Sequence, residues 1–166
     1  MANQWLEGYS GHTTDQLIGL ASHFRTDSIV LAFEQGITAK IERLGQERLS
    51  SAERVVLAVE ALEREVNSEG YAGLFATQQV HVPNLVGALT AIGADTAADL
   101  TRSAINVLGI DGSLTAAAVA AAVAQHDAER DRALNGLDVS YYASAGDLAP
   151  RLLEYIKANR AQIVLP

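Results

Sequence analysis

The sequence predicts an all-α fold, one compact multi-helix domain. Three observations carry that expectation. Apolar residues recur at three- and four-residue steps along most of the chain. Ser, Thr or Asp stands ahead of several of these stripes, and glycines stand behind them. Strand-like alternation never persists, and the terminal Ile163-Val164-Leu165-Pro166 is too short to build a sheet.

The first helix opens at Thr13, which makes a capping box with Gln16 ahead of Leu17, Leu20, Ala21 and Phe24. Asp27 is the expected N-cap of the second, whose stripe is Phe33, Ile37, Ile41 and Leu44, with Gly45 as its stop. Ser50 and Glu53 form another capping box, and Val55, Val59, Leu62 and Val66 follow as the expected core face. Asn67-Ser68-Glu69-Gly70 ends that helix, because glycine accepts the left-handed backbone a tight C-cap needs. Residues 71–77 then give one or two further turns. Pro83 suits the first turn of a helix carrying Leu85, Val86, Leu89 and Ile92. Gly93 breaks it, and Asp95 or Thr96 opens the next, with Leu100, Ala104, Val107 and Leu108. Ser113 opens an alanine-rich helix running to Leu134. Alanine has the highest helix propensity and a small side chain, so this helix is expected to pack tightly at the centre of the fold. Asp147 caps a last helix with Leu148, Leu152, Ile156 and Asn159 roughly on one face.

At 166 residues the chain can bury one sizeable core, and 49% apolar residues exclude a disordered chain. No fixed-period repeat and no linker divides it. A net charge of −8 argues against non-specific nucleic-acid or anionic-membrane binding, which needs clustered Lys and Arg, and is compatible with a basic partner. The absence of cysteine excludes disulfides, thiolate zinc sites and a cysteine nucleophile. The opening MANQWLEGYSGHTT lacks the basic and apolar regions of a signal peptide. The longest apolar run, 114–124, falls short of the ~20 residues that span a bilayer. A cytoplasmic protein is the expectation.

Chemistry-bearing patterns are missing. None of His12, His23, His81 and His126 follows a carboxylate by three residues, and there is no His-Glu-x-x-His. His126 reads as a solvated residue of a charged helical stretch, and His81 as part of a loop or helix entry. No phosphate loop, Gly-x-Gly-x-x-Gly or Gly-x-Ser-x-Gly occurs. No catalytic residue, metal or cofactor is therefore expected. The acidic side chains remain. At 100° per residue Glu60 and Arg64 lie opposite the core face, with Glu63 and Glu65 flanking it and Glu69 near the turn. Glu60 and Arg64 are in the favourable order for an i,i+4 ion pair, so the cluster is expected to be mostly solvated.

The stretch LSSAERVVLAVEALEREVNSEGYAGLF resembles the bacterial DNA-mimic protein family, most members of which have no known function. The family pattern L-S-x-x-E-R-x-x-x-A-V-x-x-L-E-x-E-V-N is matched by Leu49, Ser50, Glu53, Arg54, Ala58, Val59, Leu62, Glu63, Glu65, Val66 and Asn67. Gly70, Tyr71 and Phe75 continue it as the family's turn and aromatic helix, and weaker similarity extends the match over residues 27–160. Residues 1–26 then form an N-terminal extension with a short helix, and 161–166 a tail. Where the family has Asn-Gly-Gly-Phe at the turn, this chain has Ser68-Glu69-Gly70-Tyr71, and its usual second aromatic and asparagine are replaced around Leu74 to Gln78.

The resemblance implies a non-enzymatic interaction protein whose acids stand in for phosphates on the DNA-binding surface of a basic regulator. The partner surface would be Glu60, Glu63, Glu65 and Glu69, with Asp127, Glu129 and Asp131 as the next acidic cluster. Helical glutamates four apart stand ~6 Å from one another along the axis. One DNA strand spaces its phosphates by ~3.4 Å, so the imitation is sparse. Two alternatives stay open: an antitoxin- or immunity-type inhibitor of a nuclease-like protein, and a small-molecule site using Asn67, Tyr71, His81 or the acids. The segment 116–124 could serve helix contact within the fold or across a homodimer axis.

Overall fold

A computed structural model describes residues 3–166; Met1 and Ala2, at the head of the stretch read for a signal peptide, lie outside it. The chain forms α1 (Thr14–Leu20), α2 (Thr26–Leu44), α3 (Ser51–Thr77), α4 (Val82–Ala91), α5 (Asp95–Val107), α6 (Ala116–Val123), α7 (Ala128–Ser144) and α8 (Ala149–Ala158). Short 3-10 turns lie at Gln46–Arg48 and Arg160–Gln162. Among the described residues extended pairing is limited to an isolated bridge between Gln4 and Phe24, and the fold is all-α.

Local signals set most helix starts. Both capping boxes are formed, Thr13 with Gln16 and Ser50 with Glu53. The start of α2 differs from expectation, since Arg25 is its N-cap and Asp27 lies in its first turn. There Asp27 accepts from the Ser28 amide at 2.9 Å and pairs with the Arg25 guanidinium at 2.6 Å, a carboxylate where the helix dipole favours one.

The alanine-rich segment is two helices rather than one, and neither is central. The Thr115 hydroxyl caps α6 through the Ala118 amide, and Asp127 caps α7 through the amides of Glu129 and Arg130. Arg130 reaches back to the carbonyls of Ala122 at 2.8 Å and Gln125 at 3.0 Å, satisfying acceptors that the end of α6 leaves open. Only Val119 of α6 is fully buried, and Ala117, Ala120 and Ala121 face solvent.

The centre belongs to α3, which packs against α2, α4, α6, α7 and α8. Val59, Leu62 and Val66 are fully buried as expected, while Val55 is half-buried. Ala52, Val56, Leu57, Ala58 and Ala61 are buried too, so apolar contact runs most of the way round the helix. At Gly70 the backbone leaves helical geometry, with φ 71° and ψ −172°, and helix resumes at once with Tyr71. Here α7 supplies the missing partners: Asp138 accepts from the Tyr71 amide at 2.8 Å, and the Tyr142 hydroxyl donates to the Val66 carbonyl at 2.5 Å. A Cβ on Gly70 would press into the Asp138 carboxylate, so both φ and contact require glycine.

Glu53 does more than cap. Its fully buried carboxylate accepts from Lys40 Nζ at 2.7 and 3.0 Å, from the Ser50 amide at 2.9 Å and from the Val164 amide at 2.9 Å. One side chain thus fixes α2, the start of α3 and the C-terminal segment. Nearby, Tyr9 and Leu165 cross α2 at Gly36, where a Cβ would stand 3.0 Å from either side chain. Leu17 of α1 and Ile163 near the C-terminus are buried in the same core.

Truncating Leu62 to alanine removes a fully buried side chain from the central helix. Chemical denaturation is expected to show a loss of about 2–5 kcal/mol. Glu53→Ala strands the Lys40 ammonium in the core; the expected cost is about 3–5 kcal/mol, measured in the same way.

Candidate interaction surface

Of the four α3 acids expected to meet a partner, only Glu69 is exposed; Glu60, Glu63 and Glu65 are half-buried. The wheel treated α3 as a helix with one buried face, whereas neighbours on several sides cover it. The expected Glu60–Arg64 ion pair gives way to another, in which Arg64 Nη1 lies 2.7 Å from Glu34 Oε1 on α2. Its Nε lies 3.6 Å from Glu65, which also accepts from Gln78 Nε2 at 3.3 Å. Glu63 accepts from the Tyr141 hydroxyl of α7.

These surroundings change the charge states. Burial, then the Glu34 and Glu63 carboxylates, push Glu60 from the usual 4.5 up to about 8, with Arg64 opposing. Burial raises Glu63 above the carboxylate range, while the Tyr141 hydrogen bond pulls it back. Asp138 is raised by burial as well, against the Tyr71 amide. The middle of α3 is therefore a partly neutral seam rather than a row of fixed charges.

The second cluster is more open. Asp127 and Glu129 are exposed, and Asp131 is half-buried with its carboxylate 3.5 Å from His126 Nδ1 and 3.6 Å from Arg130 Nε. The amides of Arg130 and Glu129 hold Asp127 below the usual carboxylate range, which keeps it ionised. His126 lies in the break between α6 and α7, not within a helix as the charged pattern suggested. His81 sits at the N-cap of α4, where a helix entry was expected.

The family turn residues separate by environment. Asn67 is exposed, while Tyr71 and Phe75 are fully buried and stacked, 6.1 Å between ring centroids. The Tyr71 hydroxyl meets the buried Thr101 hydroxyl at 2.9 Å, so it faces no open site. Asn67, Tyr71 and His81 do not converge on a pocket. Glu34 and Tyr141 border the α3 acids, Asp138 and Tyr142 meet the α3 backbone at the Gly70 break, and sequence reading passed over all four. An isolated tyrosine pair carries no pattern, and the contacts of Tyr141 and Tyr142 with α3 span 78 and 76 residues. Among the described residues no group of three or more His, Asp or Glu is arranged to hold a metal ion, and no helix is long and apolar enough to cross a membrane.

The family model described as DMP19-like protein matches residues 47–159, more than half of the chain. Its match starts at 47 rather than 27, after α2, and ends within one residue of the expected limit at 160. No curated protein and no solved structure gives a significant match.

The raised Glu60 gives a pH dependence with a defined sign. Below 4.5 the group is protonated in both folded and unfolded chains and contributes no slope. Between 4.5 and about 8 the folded chain holds a proton that the unfolded chain has lost, so stability falls as pH rises. The fall is up to about 1.4 kcal/mol per pH unit. Denaturation series from pH 5 to 9 are expected to show that slope in the natural chain and a flatter one in Glu60→Gln.

Proposed function

The chain belongs to the DMP19-like protein family, and from that membership we propose that it is a non-enzymatic interaction protein of the DNA-mimic type. Its acidic surface occupies the DNA-binding surface of a basic regulator. The family match over residues 47–159 is the observation that carries this reading.

The distribution of accessible charge supports a particular surface. Glu69 is exposed beside the Gly70 break, and Asp127 and Glu129 are exposed at the first turn of α7. Asp138, on the same helix, faces the break. Eleven residues separate Asp127 from Asp138, about 16 Å of helix at 1.5 Å per residue. The exposed acids therefore stand at separated points along α7 and the α3 turn, each able to meet a cation singly. Glu60, Glu63 and Glu65 border this surface, and the charge of Glu60 and Glu63 depends on how the seam is protonated.

Such an association is steered by charge and screened by salt beyond about 8 Å at physiological ionic strength. A pull-down from cell extract is expected to retain a basic DNA-binding protein at low salt and release it at high salt. The combined variant Glu69→Gln, Asp127→Asn and Glu129→Gln tests the surface without attacking the fold. Asparagine caps a helix about as well as aspartate, and exposed changes rarely shift stability by more than about 0.5 kcal/mol. The expected result is a folded protein with weakened capture. Salt-insensitive capture, or capture unchanged in the folded variant, contradicts the reading; retention of a nuclease instead of a regulator points to the inhibitor alternative.

A further inference from the structure

Two neighbours, α3 and α5, pack along α7, and together they leave one side of it uncovered. Leu134 and Tyr141 are buried in the core, and Leu137 packs against it. Gly136, Val139, Tyr142 and Ala143 are all exposed. At 3.6 residues per turn these four fall within one sector of about 120°. Val139 and Tyr142 are 68% and 56% exposed, so apolar surface faces outward on successive turns. A lone exposed apolar side chain is ordinary; an aligned pair beside small residues is an unpartnered helix face.

The Tyr142 ring is held in place. Its hydroxyl donates to the Val66 carbonyl at 2.5 Å, and the ring meets Tyr141 edge-on with centroids 6.3 Å apart. That bond ties the face to the Gly70 break, where Glu69 is exposed. Two glycines let carboxylate side chains close in there. A Cβ on Gly70 would press into the Asp138 carboxylate, and one on Gly73 would press into the Glu69 Cβ. Among the described residues neither Glu69 nor Asp138 has an ion-pair partner. An aliphatic side chain, a fixed aromatic ring and two unpaired carboxylates thus share one edge of the molecule.

We propose that this face of α7 seats a basic amphipathic helix of the partner. An aliphatic side chain of that helix packs between Val139 and Tyr142, and an arginine or lysine crosses the Tyr142 ring toward Glu69 and Asp138. The seat rests on the reading of the chain as an acidic interaction protein and adds what its partner must present. Charge complementarity selects the occupant: unpaired carboxylates call for cations, and a surface carrying cations alone would leave Val139 uncovered. Gly136 has open space where a Cβ would stand, and Ala143 is small, so another helix can approach closely. Arg132, exposed on the same sector one turn before Gly136, repels cations at that end. The basic residues of the occupant therefore lie toward Glu69, which fixes its direction. Apolar contact ringed by charge is the arrangement in which a few residues carry most of the binding energy. A ring already tethered by its hydroxyl loses little freedom on binding, and a cation over its face adds to the carboxylate attraction.

Two synthetic helical peptides of about 20 residues serve as probes. One is built of Arg, Leu and Ala; in the other every Leu is replaced by Gln, which has similar helix propensity. Fluorescence anisotropy at physiological salt is expected to show the leucine peptide binding about tenfold more tightly than its glutamine counterpart. Val139→Ser should weaken the leucine peptide by about fivefold and leave the glutamine peptide unchanged. Valine and serine have similar helix propensity and Val139 is exposed, so this variant stays folded, which thermal unfolding checks. Leu44→Ser, which alters a side chain 53% exposed at the end of α2, should leave both peptides unaffected. Equal binding of the two peptides, no loss in folded Val139→Ser, or the same loss in Leu44→Ser overturns the seat. Equal binding that falls with salt removes the seat alone and leaves the acidic-surface reading standing. Binding of neither peptide also overturns the seat, and the capture experiment above then decides that reading separately.

Discussion

At Gly70 the main chain of α3 steps out of helical geometry, and two side chains of α7 complete what the step leaves unfinished. Asp138 takes the Tyr71 amide, Tyr142 bonds the Val66 carbonyl, and Tyr141 secures Glu63 one turn earlier. The change in direction lets residues 71–77 deliver Tyr71, Leu74 and Phe75 to the core. An unbroken helix would carry those three along the original axis. The position of α7 and the route of the chain into α4 both depend on this step.

Features fixed by neighbours in sequence were readable in advance. The two capping boxes need only four residues each, and the positive φ at Gly70 is a property of glycine in a helix-ending context. The break between α6 and α7 is also local, but the alanines around it favour helix strongly enough to mask the Asp127 cap. Arg130 reinforces the break through carbonyls five and eight residues back. The environment of the α3 acids was of another kind. Arg64 chooses Glu34 over Glu60 because α2, 30 residues away, packs against that side of α3. A helical wheel holds no information about a second helix.

Glu53 shows the same divide within one residue. Its role as N3 of a capping box is local and was legible; its Lys40 and Val164 partners lie 13 and 111 residues away. The family match opens at residue 47, so Glu53 lies inside it while Lys40 and Val164 lie outside. The matched region is therefore completed by flanking segments that enter its core through a shared carboxylate. The N-terminal segment joins the same assembly, with the Tyr9 hydroxyl 2.5 Å from the Pro166 carbonyl.

The protonated state of Glu60 also couples folding to the surrounding buffer. Near neutral pH an unfolded chain carries this carboxylate ionised, whereas the folded chain holds its proton. Each molecule that folds withdraws that proton from solution, and the buffer must release it. The heat of folding recorded in a calorimeter therefore contains the buffer's own ionisation enthalpy. Phosphate and Tris, whose ionisation heats differ widely, would return different enthalpies for the same structural transition, and the difference counts protons rather than contacts.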